Sequence, residues 1–141
     1  MTDVVLERQF AAPIEKVFDY ISSPEKVLVW WGPESVTVRN ADLNFGQVGP
    51  WTSEMHAKDG TIFKVSGEVT EVDPPHSVIF TWAWHDDTDV RGHESQVQIV
   101  LAKQGGGTNF TLIHRNLASD ESAQSHTAGW TSSIGRLEAE F

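Results

Sequence analysis

The segment SVIFTWAWH, residues 77–85, alternates without a break. Val78, Phe80, Trp82 and Trp84 fall on one side of an extended chain, and Ile79, Thr81, Ala83 and His85 on the other. Three large rings on one face of a strand must point inward. Each buried tryptophan removes about 150–250 Å² from water, a gross gain of about 4–6 kcal/mol at ~25 cal/mol per Å². Whatever covers that face decides the fold.

Neighbouring segments supply matching faces. β-Branched and alternating runs over 4–10, 36–39, 51–57, 61–72, 94–102 and 109–114 join 78–85 to give about seven strands, separated by turn signals such as Lys58-Asp59-Gly60 and Gly105-Gly106-Gly107. The inward set becomes Trp51, Ser53 and Met55; Phe63, Val65 and Val69; Val97, Ile99 and Leu101; and Phe110, Leu112 and His114. Six of these strands are consecutive, which implies an antiparallel meander. Two short helices precede it. One follows Pro13, with Ile14, Val17, Phe18 and Ile21 on a single stripe; the other starts with Ser23 as cap and Pro24 in first position, and stops at Gly32-Pro33 after Trp31. The tail is a third helix, opened by Ser119-Asp120-Glu121 and carrying Ala123, Trp130, Ile134, Leu137 and Phe141 on one face. Only the inner face of the sheet is large enough to cover that stripe. The chain is therefore α+β, ordered β-α-α-β6-α, with a curved antiparallel seven-stranded sheet wrapped around the C-terminal helix.

The adjacent pair Trp30-Trp31 raises a separate question. Neighbours on a helix point about 100° apart, so a narrow apolar stripe holds one ring, and the other is expected at the solvent edge, by a pocket mouth or partner surface.

The chain has 141 residues, enough for one domain spanning 1–141. Twenty acidic against ten basic side chains give a net charge of −10, which disfavours nucleic acid and anionic membrane surfaces as partners. The absence of cysteine removes disulfides, thiolate metal sites and a cysteine nucleophile. Neither a secretory leader pattern nor an apolar run of roughly 20 residues is present, so a soluble, cytoplasmic protein is expected, monomeric or homodimeric.

This order of elements, with FAAPIEKVFDYISSPEKVLVWWGP, Asp42 in NADLNFG, GEVTEVDPPHSVIFTWAW, GGGTNFTLIHRNL and HTAGWTSSIGRLEAEF, resembles the helix-grip fold of the Bet v 1/START-like (SRPBCC) superfamily. Within it the chain is similar to small bacterial proteins related to the C-terminal domain of the Hsp90 ATPase activator. The resemblance implies a cleft between the last helix and the sheet, and a role beside a chaperone in stress response. The corner NFGQVGPW looks about two residues longer than is usual there. No room is expected for the activators' additional N-terminal chaperone-binding domain.

Two readings of the aromatic set stand side by side: a filled core, or walls of a cleft for a small apolar molecule. On the second, the candidate ligand-binding residues are Trp30, Trp31, Trp51, Met55, Phe63, Phe80, Trp82, Trp84, His114 and Trp130. His114 is either a satisfied core histidine or a polar handle, and the indole N–H groups can each orient one acceptor. His85, Asp86, Asp87, Asp89 and His93 read as turn chemistry rather than a metal site. Serines beside His126 lack the signature of a nucleophile, and Glu54, Glu68 and Asp42 are the remaining bases for a cyclase- or hydrolase-type enzyme. The main expectation is a binding domain for a small, largely apolar molecule, with no cofactor and no metal. The alternatives are a cochaperone-like interaction module and such an enzyme.

Overall fold

The computed structural model describes residues 2–141. Its elements run β1 (Thr2–Phe10), α1 (Ile14–Ser22), α2 (Pro24–Trp30), β2 (Val36–Asp42), β3 (Gly49–Ala57), β4 (Ile62–Asp73), β5 (Ser77–Trp84), β6 (Ser95–Gln104), β7 (Gly107–Leu117) and α3 (Asp120–Glu138). The strands form one antiparallel sheet in the order β1-β7-β6-β5-β4-β3-β2, so β2 to β7 is an unbroken meander and β1 adds to β7. The expected class and order of elements hold throughout.

The sheet's curvature has local causes. Register shifts interrupt β1, β2 and β4, and such irregularities bend and twist a strand. Gly67 on β4 permits the tightest approach: a Cβ there would lie 2.0 Å from the Thr81 carbonyl oxygen of β5. Trp51, paired with Gly67, reaches past it to donate its indole N–H to that carbonyl at 3.0 Å.

On the inner face, Phe80, Val97, Phe110 and Leu112 are fully buried. α3 covers them with Trp130, Ile134 and Leu137, and its start is capped by Ser119 Oγ, which accepts from the Ser122 N–H at 3.1 Å. α1 and α2 bracket one end. Ser23 does occupy the N-cap position of α2, but its hydroxyl donates to Glu25 Oε2 at 2.8 Å instead of capping. The acidic neighbour competes successfully for the short side chain.

The expectation that one of Trp30 and Trp31 faces solvent is corrected: they are 0% and 1% exposed. α2 ends one residue earlier than the sequence suggested. Trp31 is already extended, with φ −65° and ψ 131°, and Gly32 turns with φ 82°. The two rings therefore leave the backbone from different geometries, and no single helical stripe has to hold both. Trp30 donates to the Tyr20 carbonyl at 2.8 Å and ties α2 to α1, whereas Trp31 donates to Ser53 Oγ at 3.0 Å and ties the corner to β3. Arg136 of α3 caps the open end of α2, donating to the carbonyls of Val29 at 3.0 Å and Gly32 at 2.9 Å.

Trp31 Nε1 is satisfied, and its ring centroid lies 5.3–6.4 Å from those of Trp30, Phe45, Trp51, Phe80, Trp82 and Trp130. Truncation here should leave a large void. Trp31→Ala is expected to cost about 4 kcal/mol in urea unfolding. Leu28→Ala, three residues earlier and 47% exposed, should stay within about 0.5 kcal/mol of wild type. Similar losses for the two would contradict the burial of Trp31.

Candidate functional site

The inner face is not completely filled. Between α3, the β3–β4 hairpin and the corner after α2 lies a cleft of about 460 Å³. Its α3 wall combines His126 and Trp130 with the small residues Ser125, Gly129 and Ser133, which recur every four positions and so share a helical face. Gly129 is the telling position. A Cβ built there meets nothing within 4 Å, so the glycine leaves space that an ordinary side chain would occupy. The opposite walls are Met55 and Phe63 from the hairpin, Trp82 and Trp84 from β5, and Trp31, Gly32, Pro33, Ser35 and Val36 at the corner.

Of the ten residues singled out from sequence, Trp31, Met55, Phe63, Trp82, Trp84 and Trp130 line this cleft. Phe63, taken as inward, is 46% exposed at its mouth. Trp30, Trp51, Phe80 and His114 do not line it. Phe45, on the lengthened corner after β2, explains two of these: it stacks on Phe80 at 4.5 Å and lies 5.6 Å from Trp51, closing that end as solid core. Trp30 is held in the helical bracket, and His114 sits behind Trp130. Sequence reasoning missed Gly129, Ser125, Ser133 and His126 as wall residues. For Ser125, Gly129 and Ser133 the signal was present as small residues at helical spacing around Trp130.

A polar circuit runs behind and along the aromatic wall. Trp130 Nε1 donates to His114 Nδ1 at 3.0 Å, so His114 Nε2 carries the hydrogen and donates to Ser95 Oγ at 2.7 Å. Ser95 in turn donates to the Trp82 carbonyl at 3.3 Å. His126 has the other tautomer. Its Nδ1–H donates to the Ser122 carbonyl at 2.7 Å, leaving Nε2 to accept from Trp84 Nε1 at 3.0 Å. Each imidazole is thus neutral, and each accepts one hydrogen bond that fixes an indole. Trp82 is the exception: its Nε1 is the one buried side-chain polar atom without a partner among the described residues.

Residues 11–141 match the model of the family described as "Activator of Hsp90 ATPase homolog 1-like protein". The chain belongs to this family. The AHSA1 protein of Silicibacter pomeroyi shares 47% identity and superposes with a TM-score of 0.93 over 99% of this chain and 96% of that one. A protein of Mycobacterium smegmatis is 25% identical with a TM-score of 0.82, covering 99% and 90% of the two chains. A Chromobacterium violaceum protein at 20% identity and a TM-score of 0.87, over 99% and 96%, shares the fold. No functionally curated protein matches.

In this AHSA1-like chain the other sequence candidates fall away from the cleft. Asp42 and Glu68 are exposed. Glu54 binds Asn40 at 3.0 Å and His56 at 3.0 Å, and those hydrogen bonds hold its carboxyl below the usual range. No helix is long and apolar enough to cross a membrane among the described residues.

Burial pushes His114 down to about 3, with the nearby His126 adding to the effect. Burial also lowers His126, opposed by its bond to the Ser122 carbonyl. A histidine depressed in the folded state contributes stability that is complete above its unfolded value and is lost as pH falls toward the folded value. Between pH 5.5 and 4 the wild type should lose about 2 kcal/mol more than His114→Gln, at ~1.4 kcal/mol per pH unit. NMR signals of the His114 ring should keep neutral-form shifts down to pH 4; titration near 6.5 would show that the circuit opens.

Proposed function

We propose that this protein binds one small, largely apolar, uncharged molecule in the cleft between α3 and the sheet. The observation that carries the reading is the space left at Gly129 in front of an aromatic wall. A cleft of about 460 Å³ lies within the 300–1,000 Å³ typical of small-molecule sites. No Lys, Arg, Asp or Glu lines it among the described residues, and a charged ligand would lose its hydration without gaining a counter-charge. The unpartnered Trp82 N–H supports a ligand with one carbonyl or ether acceptor. We read the protein as a cytoplasmic one, as its lack of cysteine suggests.

The neutral fluorophore N-phenyl-1-naphthylamine tests this without knowledge of the natural ligand. Wild type should bind it with quenching of tryptophan emission, and Gly129→Phe, which fills the cleft, should weaken binding at least tenfold. Gly129→Ala should keep most of the binding and raise stability by about 1 kcal/mol. Equal binding by wild type and Gly129→Phe would reject the cleft as the site.

A second reading, a cochaperone-like interaction module, draws on the family and on Leu28 and Val29, which are 47% and 40% exposed on α2. Stimulation of a purified Hsp90 ATPase by wild type, lost in Leu28→Asp, would favour it over the ligand reading.

A further inference from the structure

The outer face of the sheet carries a second constellation, apart from the cleft. The β5–β6 loop folds back over β4, shaped by Asp86, whose Oδ1 accepts from the N–H groups of Thr88 at 2.9 Å and Val90 at 3.0 Å. The fold-back brings Asp89 and Arg91 to Ser66 of β4 and to His85 at the end of β5. Ser66 Oγ lies 2.7 Å from His85 Nε2, and His85 Nδ1 lies 2.8 Å from Asp89 Oδ1. A carboxylate can only accept, so Nδ1 carries the hydrogen and the Nε2 lone pair faces the serine hydroxyl. Lys64 Nζ, 3.0 Å from Asp89 Oδ1, and His85 together keep that carboxyl below its usual range. Arg91 Nε donates to the same Ser66 Oγ at 3.0 Å, and its Nη2 donates to the Ser66 carbonyl at 3.1 Å. Its Nη1 has no hydrogen-bond partner among the described residues.

We propose that Ser66, His85 and Asp89 form a serine-nucleophile site for small activated carboxylic esters, with Arg91 as the oxyanion partner. The three side chains hold the nucleophile, base and orienting roles in hydrogen-bonding geometry. The His85 side chain is 9% exposed, between Asp89 on the solvent side and Ser66, which is half-buried and open to a small ester. None of the four residues lines the cleft, so the inference stands independently of the binding reading.

In the first half-reaction Ser66 Oγ bonds to the ester carbonyl carbon as its proton passes to His85 Nε2. The resulting oxyanion sits beside the Arg91 guanidinium, a preorganised positive donor. Collapse breaks the carbon–oxygen bond to the alcohol, which leaves with the proton from Nε2. Water then attacks the acyl-Ser66, giving its proton to Nε2; Oγ recovers that proton as the acid departs. The sum is ester plus water giving acid plus alcohol.

A fluorophosphonate probe followed by peptide mass spectrometry should place one adduct on Ser66. Hydrolysis of p-nitrophenyl acetate should fall by about 10²-fold or more in Ser66→Ala and in His85→Gln. A hydrogen-bonded clip that serves only to pin the loop would lower the melting temperature of both variants and give no adduct, and that result overturns the proposal, as does wild-type turnover by Ser66→Ala. Should Ser66→Ala fail to fold, Ser66→Cys creates the sole thiol in a chain without cysteine. It should react with iodoacetamide at pH 6 at least tenfold faster than Thr131→Cys on the exposed side of α3, and lose that advantage when Asp89→Asn is added. Equal rates for the two thiols would refute the relay.

Discussion

Everything on the inner face depends on where the Trp31 indole is held. Its hydrogen bond to Ser53 Oγ fixes the ring against β3, and its neighbours come from α2, the corner after β2, β3, β5 and α3. A buried indole without an acceptor would forfeit about 1–3 kcal/mol, so the small hydroxyl at position 53 matters as much as the large ring. The same ring closes the packed end of the interior and forms the inner limit of the cleft. Filled core and open cleft are thus two sides of one side chain, which is why the sequence supported both readings at once.

The bond that Arg136 makes to the end of α2 adds to this placement. α2 has only seven residues, too few to be stable as an isolated helix, and its last carbonyls need partners. Arg136 supplies them from α3. The corner that presents Trp31 is therefore fixed from both sides, by Ser53 on the sheet and by Arg136 on the helix the sheet encloses.

Much of this was legible in the residues. Alternation in β5 placed Phe80, Trp82 and Trp84 correctly on one face, and the stripe on α3 required the sheet as its cover. What failed did so for identifiable reasons. Helical periodicity was extended to Trp31, although the residue before a Gly-Pro stop is free to leave the helix, and that single residue reversed the expected exposure. The corner after β2 is longer than usual, but nothing in its length reveals that Phe45 turns inward to stack on Phe80. Wall residues on α3 are not legible from hydrophobic patterning, because a position such as Gly129 contributes through a missing side chain. The loop after β5 was read as turn chemistry, and Asp86 is that. The role of Asp89 depends on Ser66, nineteen residues before His85 and adjacent only through the β4–β5 pairing.

That pairing joins the two faces. Trp84 points inward and holds His126 at the cleft; His85, the next residue, points outward and holds Ser66. On β4 the same alternation puts Val65 against the core, opposite Trp84, while Ser66 stands outside opposite Ala83. The backbone continues the register past the end of β5, since His85 N–H donates to the Lys64 carbonyl at 2.9 Å. A strand of period two can thus carry an apolar wall on one side and a polar relay on the other without compromise to either. The relay stays outside because its serine, histidine and aspartate would each need a partner if buried. The cleft remains apolar because the polar atoms of His126 on its wall and of His114 behind Trp130 are already satisfied by indoles, a hydroxyl and a backbone carbonyl.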